Sequence, residues 1–160
     1  MKRNAKISLG ILVGATLTEA LTVFGLYKSV FHDSRTFEAS SVSFATLAEK
    51  LKPLRDHGYL LSSVEAVEYD MVIHDNGFAP SDWDVRLIAK VRPQDIPAWI
   101  GKRTLSAEPA DLNNLTAIVA KNPQLHFTGT PATYRFPNDS RSFVAVFKKE
   151  SLIAVVDRTL

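Results

Sequence analysis

Thr133–Asp157 reads TYRFPNDSRSFVAVFKKESLIAVVD, and this stretch decides the fold class. Pro137-Asn138-Asp139-Ser140 and Lys148-Lys149-Glu150-Ser151 are turn chemistry. They separate three short apolar runs, 133–136, 142–147 and 152–157. Short strands joined by tight turns pair antiparallel with their neighbours, so the carboxyl-terminal part predicts a meander. In the middle run Phe143, Ala145 and Phe147 alternate with Val144 and Val146. A strand apolar at every position is covered on both faces.

Working outward, Trp83–Arg92 alternates cleanly. Val85, Leu87, Ala89 and Val91 fall on one side, with Asp84, Arg86, Ile88, Lys90 and Arg92 on the other. Residues 64–73 read as a strand of mixed alternation, and His74-Asp75-Asn76-Gly77 is a turn signal. Phe44, Leu47, Ala48, Leu51 and Leu54 have helical spacing. Ser43 is the expected N-cap, Gly58 the stop, and Pro53 a late kink or end. A short helix is predicted over Gln94–Gly101 and a stronger one over Asp111–Lys121, ended by Asn122-Pro123. Trp99 reads as core. Strands grouped together rather than alternating with long helices predict an α+β domain: an antiparallel sheet of four to five strands with about three helices. It occupies 43–160, behind a connector over 28–42.

The charge is uneven. The chain has 160 residues and a formal net charge of +2. Lys2, Arg3 and Lys6 precede Ile7–Tyr27, whose only charge is Glu19. From residue 28 onward acids and bases are equal in number. The basic excess is therefore a feature of the amino-terminal tip and not of a nucleic-acid-binding face. Twenty-one residues at ~1.5 Å each would span about one hydrocarbon core. Bases before such a run keep the tip cytoplasmic. The expected layout is a cytoplasmic tip over 1–6, a single-pass signal anchor over 7–27, and the domain on the extracytoplasmic side. No small-residue cleavage pattern follows Ala20, which disfavours a cleaved signal peptide.

Gly14–Glu19 resembles the processing site of type IV pilins, in which a Gly is followed five residues later by Glu. In that family a polar leader precedes the Gly and a long apolar helix follows the Glu. Here Ile7–Val13 is already apolar and Lys28 soon follows, so the order is reversed. Gly10, Gly14, Thr18 and Thr22 recur every four residues, with Glu19 at the edge of the same side. Small residues at this spacing let membrane helices approach closely, and an intramembrane carboxylate usually faces protein. These five form an expected helix-docking face.

No cysteine is present, which excludes disulfides, thiolate metal sites and a cysteine nucleophile. No Walker A loop, G-x-G-x-x-G or G-x-S-x-G occurs, and no two of the four histidines lie within five residues. The densest polar cluster is His74, Asp75, Asn76, Asp82 and Asp84, with Phe78 and Trp83 among them. Its spacing is not that of an EF-hand, and no cofactor is expected. His74, Asp75, Phe78, Asp82 and Trp83 are the candidate partner-binding loop. Trp83 either half-buries as the start of a strand or anchors a partner. The expected function is a membrane-anchored accessory, adaptor or inhibitor subunit. It would contact a membrane or envelope protein, or self-associate through its helix. The alternative is a membrane-tethered hydrolase or metal-dependent enzyme using the His74–Asp84 loop.

Overall fold

All five residues of Phe143–Phe147 are buried, as a strand covered on both faces requires. The computed structural model describes residues 35–75, 81–120 and 122–159. Thr36–Asp75 and Ser81–Leu160 make one compact unit. It is an α+β domain built on a seven-stranded sheet. In chain order the strands are β1 (Arg35–Ser40), β2 (Val64–Asp75), β3 (Asp82–Val91), β4 (Thr104–Leu105), β5 (Ala132–Arg135), β6 (Phe143–Phe147) and β7 (Leu152–Arg158). The helices are α1 (Leu47–Asp56), α2 (Ile96–Ile100) and α3 (Asn113–Val119), with short 3-10 turns at Ser41–Ser43, Pro93–Asp95 and Pro123–Leu125. Spatial order is β1-β2-β3-β7-β6-β5-β4. The β2–β3, β3–β7, β7–β6, β6–β5 and β5–β4 pairings are antiparallel.

The meander β5-β6-β7 thus runs inward from the far edge to lie against β3. Seven strands replace the four or five expected. Of the two extra, β1 lies inside the stretch read as a connector. Only its Phe37 and Ala39, both packed on the core, mark it as a strand. β4 has two residues, too few to carry a period.

The sheet separates two apolar clusters. On its first face Val67, Tyr69, Met71, Val85, Leu87, Val144, Val146, Ile153 and Val155 pack with Leu54 of α1 and Trp99 of α2. On its second face Ala66, Ile88, Phe143, Ala145, Phe147, Leu152 and Ala154 pack with Leu115, Ile118 and Val119 of α3 and with Leu125. Trp99 is fully buried, as expected, and its Nε1 donates to Ser62 Oγ at 2.8 Å. The mixed alternation of β2 has a local cause. The register shifts between Val64 and Ala66, where Glu65 is an extra residue. A bulge of this kind flips the pleat, so Val64 and Val67 share a face.

Helix boundaries differ where side chains compete for the backbone. Thr46, not Ser43, caps α1: its Oγ1 accepts from Glu49 N at 3.3 Å, and Glu49 Oε2 accepts from Thr46 N at 3.0 Å. This reciprocal pair satisfies two orphan donors of the first turn. Pro53 does not end α1 but lies within it, three residues before its last, and the helix stops before Gly58, which sits at φ +77. Asp111 Oδ1 accepts from Asn113 N, a turn that delays the start of α3 by two residues. Among the described residues no helix is long and apolar enough to cross a membrane. The 7–27 segment, with Gly10, Gly14, Thr18, Glu19 and Thr22, lies outside the described residues.

Candidate functional site

The polar cluster expected to form one loop sits mostly on two strands. His74 and Asp75 end β2, while Asp82 and Trp83 begin β3. His74 is registered against Asp82 and Ile73 against Trp83. Alternation along a strand therefore puts His74, Asp82 and Asp84 on one face and Asp75 and Trp83 on the other. His74 Nδ1 is 2.9 Å from Thr36 Oγ1 of β1. Asp84 accepts from Arg86 and, at 3.2 Å, from Arg158 Nε. Burial works to raise the Asp84 pKa, but the two guanidiniums outweigh it and hold the carboxyl below its ordinary value. Trp83 is half-buried and packs against the first-face core. Phe78 lies outside the described residues. The residues the hydrolase reading would bring together are thus divided between two faces. Among the described residues no group of three His, Asp or Glu is arranged to hold a metal ion.

A second polar centre is structural. Glu68 is buried on β2, where Lys50 Nζ donates to it at 2.6 Å and Asn122 Nδ2 at 3.1 Å. Burial alone would raise its pKa. The hydrogen bonds from Lys50, Ser41 and Asn122 outweigh that effect and lower it. This set ties α1 and the segment after α3 to the sheet.

The far edge of the sheet has a different character. β4 is the terminal strand, and among the described residues no strand lies beyond it. Thr104 is registered against Arg135 and Leu105 against Tyr134, and Ser106 N continues the ladder to Thr133 O at 2.8 Å. Leu105 is 68% exposed and Phe136 is 40% exposed, two of the four large apolar side chains exposed among the described residues. Both line one open groove of about 430 Å3, whose charged lining is Glu108, Arg135 and Asp139. The Arg103 guanidinium lies 4.5 Å from the Phe136 ring centroid, a cation–π contact that fixes the ring at the edge. An exposed strand edge beside two apolar side chains offers a partner both backbone hydrogen bonds and anchors.

Neither residue was singled out from sequence. Leu105 is an isolated apolar residue between Thr104 and Ser106, and Phe136 reads as the last residue of a strand before Pro137. Only the return of β5 to the far edge brings the two together. Comparison with known proteins finds no matching family model, no matching curated protein and no matching solved structure.

Proposed function

We propose that this chain is a single-pass membrane-anchored accessory or adaptor subunit whose extracytoplasmic domain binds a partner protein along its β4 edge. The observation that carries the binding half is the pairing of Leu105 and Phe136 on one groove beside a terminal strand. Large exposed apolar side chains cost solubility unless a partner covers them, and hot spots of protein interfaces are built from such anchors. The membrane half is supported by Lys2, Arg3 and Lys6 ahead of the 21-residue run Ile7–Tyr27. The tether confines the domain to one surface, so a modest groove suffices once the partner shares that membrane.

The test uses the full chain in its native membrane. A photo-crosslinking residue replaces Leu105, and a second variant carries it at Lys52, which is exposed on α1. The expected result is a chain that resists alkaline extraction and is cleaved by protease only from the extracytoplasmic side. Position 105 should give one discrete crosslinked protein, which Phe136→Asp abolishes. Release of the chain by alkali would overturn the membrane half. Crosslinking at 105 no stronger than at 52 would overturn the binding half.

A further inference from the structure

α3 has seven residues and is about 10 Å long, whereas the ten residues of β3 extend about 33 Å. The helix therefore cannot cover the whole second face of the sheet. Beyond its reach the face changes from apolar to charged: Asp84 and Arg86 precede Ile88 on β3, and Arg158 follows Val156 on the antiparallel β7. At this end, which no helix among the described residues covers, is a cavity of about 330 Å3. Arg135, Arg141 and Arg158 line it over Phe143 and Val156, with Asp111 the one carboxylate of the lining among the described residues.

The three arginines come from three places: the end of β5, the β5–β6 turn and the end of β7. Like charges gathered from separate elements repel one another unless something of opposite sign sits between them. Carboxylates nearby supply counter-charge, Asp139 to Arg141 and Asp84 to Arg158, but each also serves other donors. Asp84 is held by Arg86 as well as Arg158. Asp139 Oδ1 accepts from the backbone N–H groups of Arg141 and Ser142. Asp111 accepts from Asn113 N. Glu108 stands 3.9 Å from Arg135 Nε, too far for a hydrogen bond, and its side chain is exposed.

Arg135 is the most constrained of the three. Its side chain is largely buried and its guanidinium lies 5.0 Å from the Phe143 ring centroid. Nη1 donates to Ser140 O at 2.7 Å, and Nη2 approaches Pro109 O at 3.4 Å. Its Nε is buried with no hydrogen-bond partner. Each terminal nitrogen of a guanidinium carries two N–H donors, so beyond the contacts with Ser140 O and Pro109 O the Nη1 and Nη2 of Arg135 each retain one at a fixed position. Arg158 commits its Nε to Asp84, and Arg141 is exposed at the cavity's mouth.

We infer that this cavity binds a phosphate monoester, its phosphate held by Arg135, Arg141 and Arg158 and its organic part against Phe143 and Val156. A planar carboxylate is satisfied by one guanidinium fork. Three guanidiniums supplied by separate elements suit a tetrahedral dianion instead. The cavity also exceeds what inorganic phosphate fills, and its floor is apolar. The monoester could be a soluble metabolite or a lipid headgroup at the membrane surface. The chemistry is shared, and the source is a matter for the test.

The full-length chain is placed in nanodiscs of phosphatidylcholine and titrated calorimetrically with inorganic phosphate, glycerol 3-phosphate and acetate. Saturable binding of glycerol 3-phosphate, tighter than inorganic phosphate and absent for acetate, is the expected result. Arg141→Gln should weaken it about tenfold, the loss of one charge-assisted contact, with the melting temperature unchanged. Arg135→Lys, which keeps the charge but not the fork, should weaken it as well. Lys148→Gln, an exposed turn residue, should not. In nanodiscs that include phosphatidic acid, a lowered apparent affinity for glycerol 3-phosphate identifies the headgroup as the ligand. An unchanged affinity identifies a soluble one. Absence of saturable binding at about 10 mM glycerol 3-phosphate, where even a millimolar site is filled, would overturn the inference. So would equal binding of acetate, or binding untouched by Arg141→Gln.

Discussion

Glu68 shows what a single buried charge does in this fold. Its carboxylate receives Lys50, Ser41 and Asn122, and these contacts lower its pKa against the opposing pull of burial. A carboxyl whose folded pKa is depressed contributes stability above its unfolded value, and that contribution disappears as pH falls through the folded one. The domain should therefore lose stability as the pH falls below the ordinary value of 4.5. Glu68→Gln should remove its share of that acid dependence, leaving that of Asp84, while lowering the melting temperature at neutral pH, because Lys50, itself mostly buried, then lacks its anion. Melting curves from neutral to acid pH check both halves. If the variant keeps the parental pH profile, the acid sensitivity lies elsewhere. Ser41 belongs to the same centre: it is fully buried, and its Oγ accepts from Tyr69 N at 3.0 Å.

At the scale of elements, the cap of α1 is the clearest lever. Thr46→Ala removes the acceptor for Glu49 N and should cost about 1 kcal/mol in denaturant unfolding. Ser43→Ala, at the position that helical spacing alone suggests, should cost the helix nothing as a cap, since a 3-10 turn occupies Ser41–Ser43. A larger loss at Ser43 than at Thr46 would refute the assigned cap. The contrast also shows what was legible in the sequence. The strands β2, β3, β5, β6 and β7 and the buried Trp99 were readable because each is announced by apolar periodicity and turn residues. The helix starts were not, because Ser43, Thr46, Asp111 and Asn113 are all competent near a helix amino terminus, and tertiary contacts choose among them. β1 was missed because its polar residues match a connector. The groove at Leu105 and the arginine cavity were invisible for another reason: each joins residues tens of positions apart. The His74–Asp84 cluster was conspicuous in sequence, yet pairing across β2 and β3 sends its members to both faces of the sheet.

Across the whole molecule, the order of strands makes folding depend on the last element. β3 and β6 flank β7, and β7 supplies apolar side chains to both clusters: Ile153 and Val155 to the first face, Leu152, Ala154 and Val156 to the second. The β3–β7 pairing joins Asp84 to Arg158 and Lys90 to Leu152, so it closes only after more than sixty intervening residues have been placed. Non-local pairing of this kind has a loop-closure cost before it gains contacts, and it slows folding. A chain stopped after Ser151 would keep β1-β2-β3 and β4-β5-β6 as two separate groups. Each would present an open apolar edge where β7 belongs, and both cores would lack a wall. Such a chain should lose its near-ultraviolet dichroism, bind a hydrophobic dye and aggregate. A synthetic peptide of residues 152–160 added during refolding should restore the near-ultraviolet signal, because the site it fills is bordered by strands on both sides. Retention of native dichroism without β7 would mean that one half of the sheet folds by itself, and the central role of the β3–β7–β6 seam would be wrong.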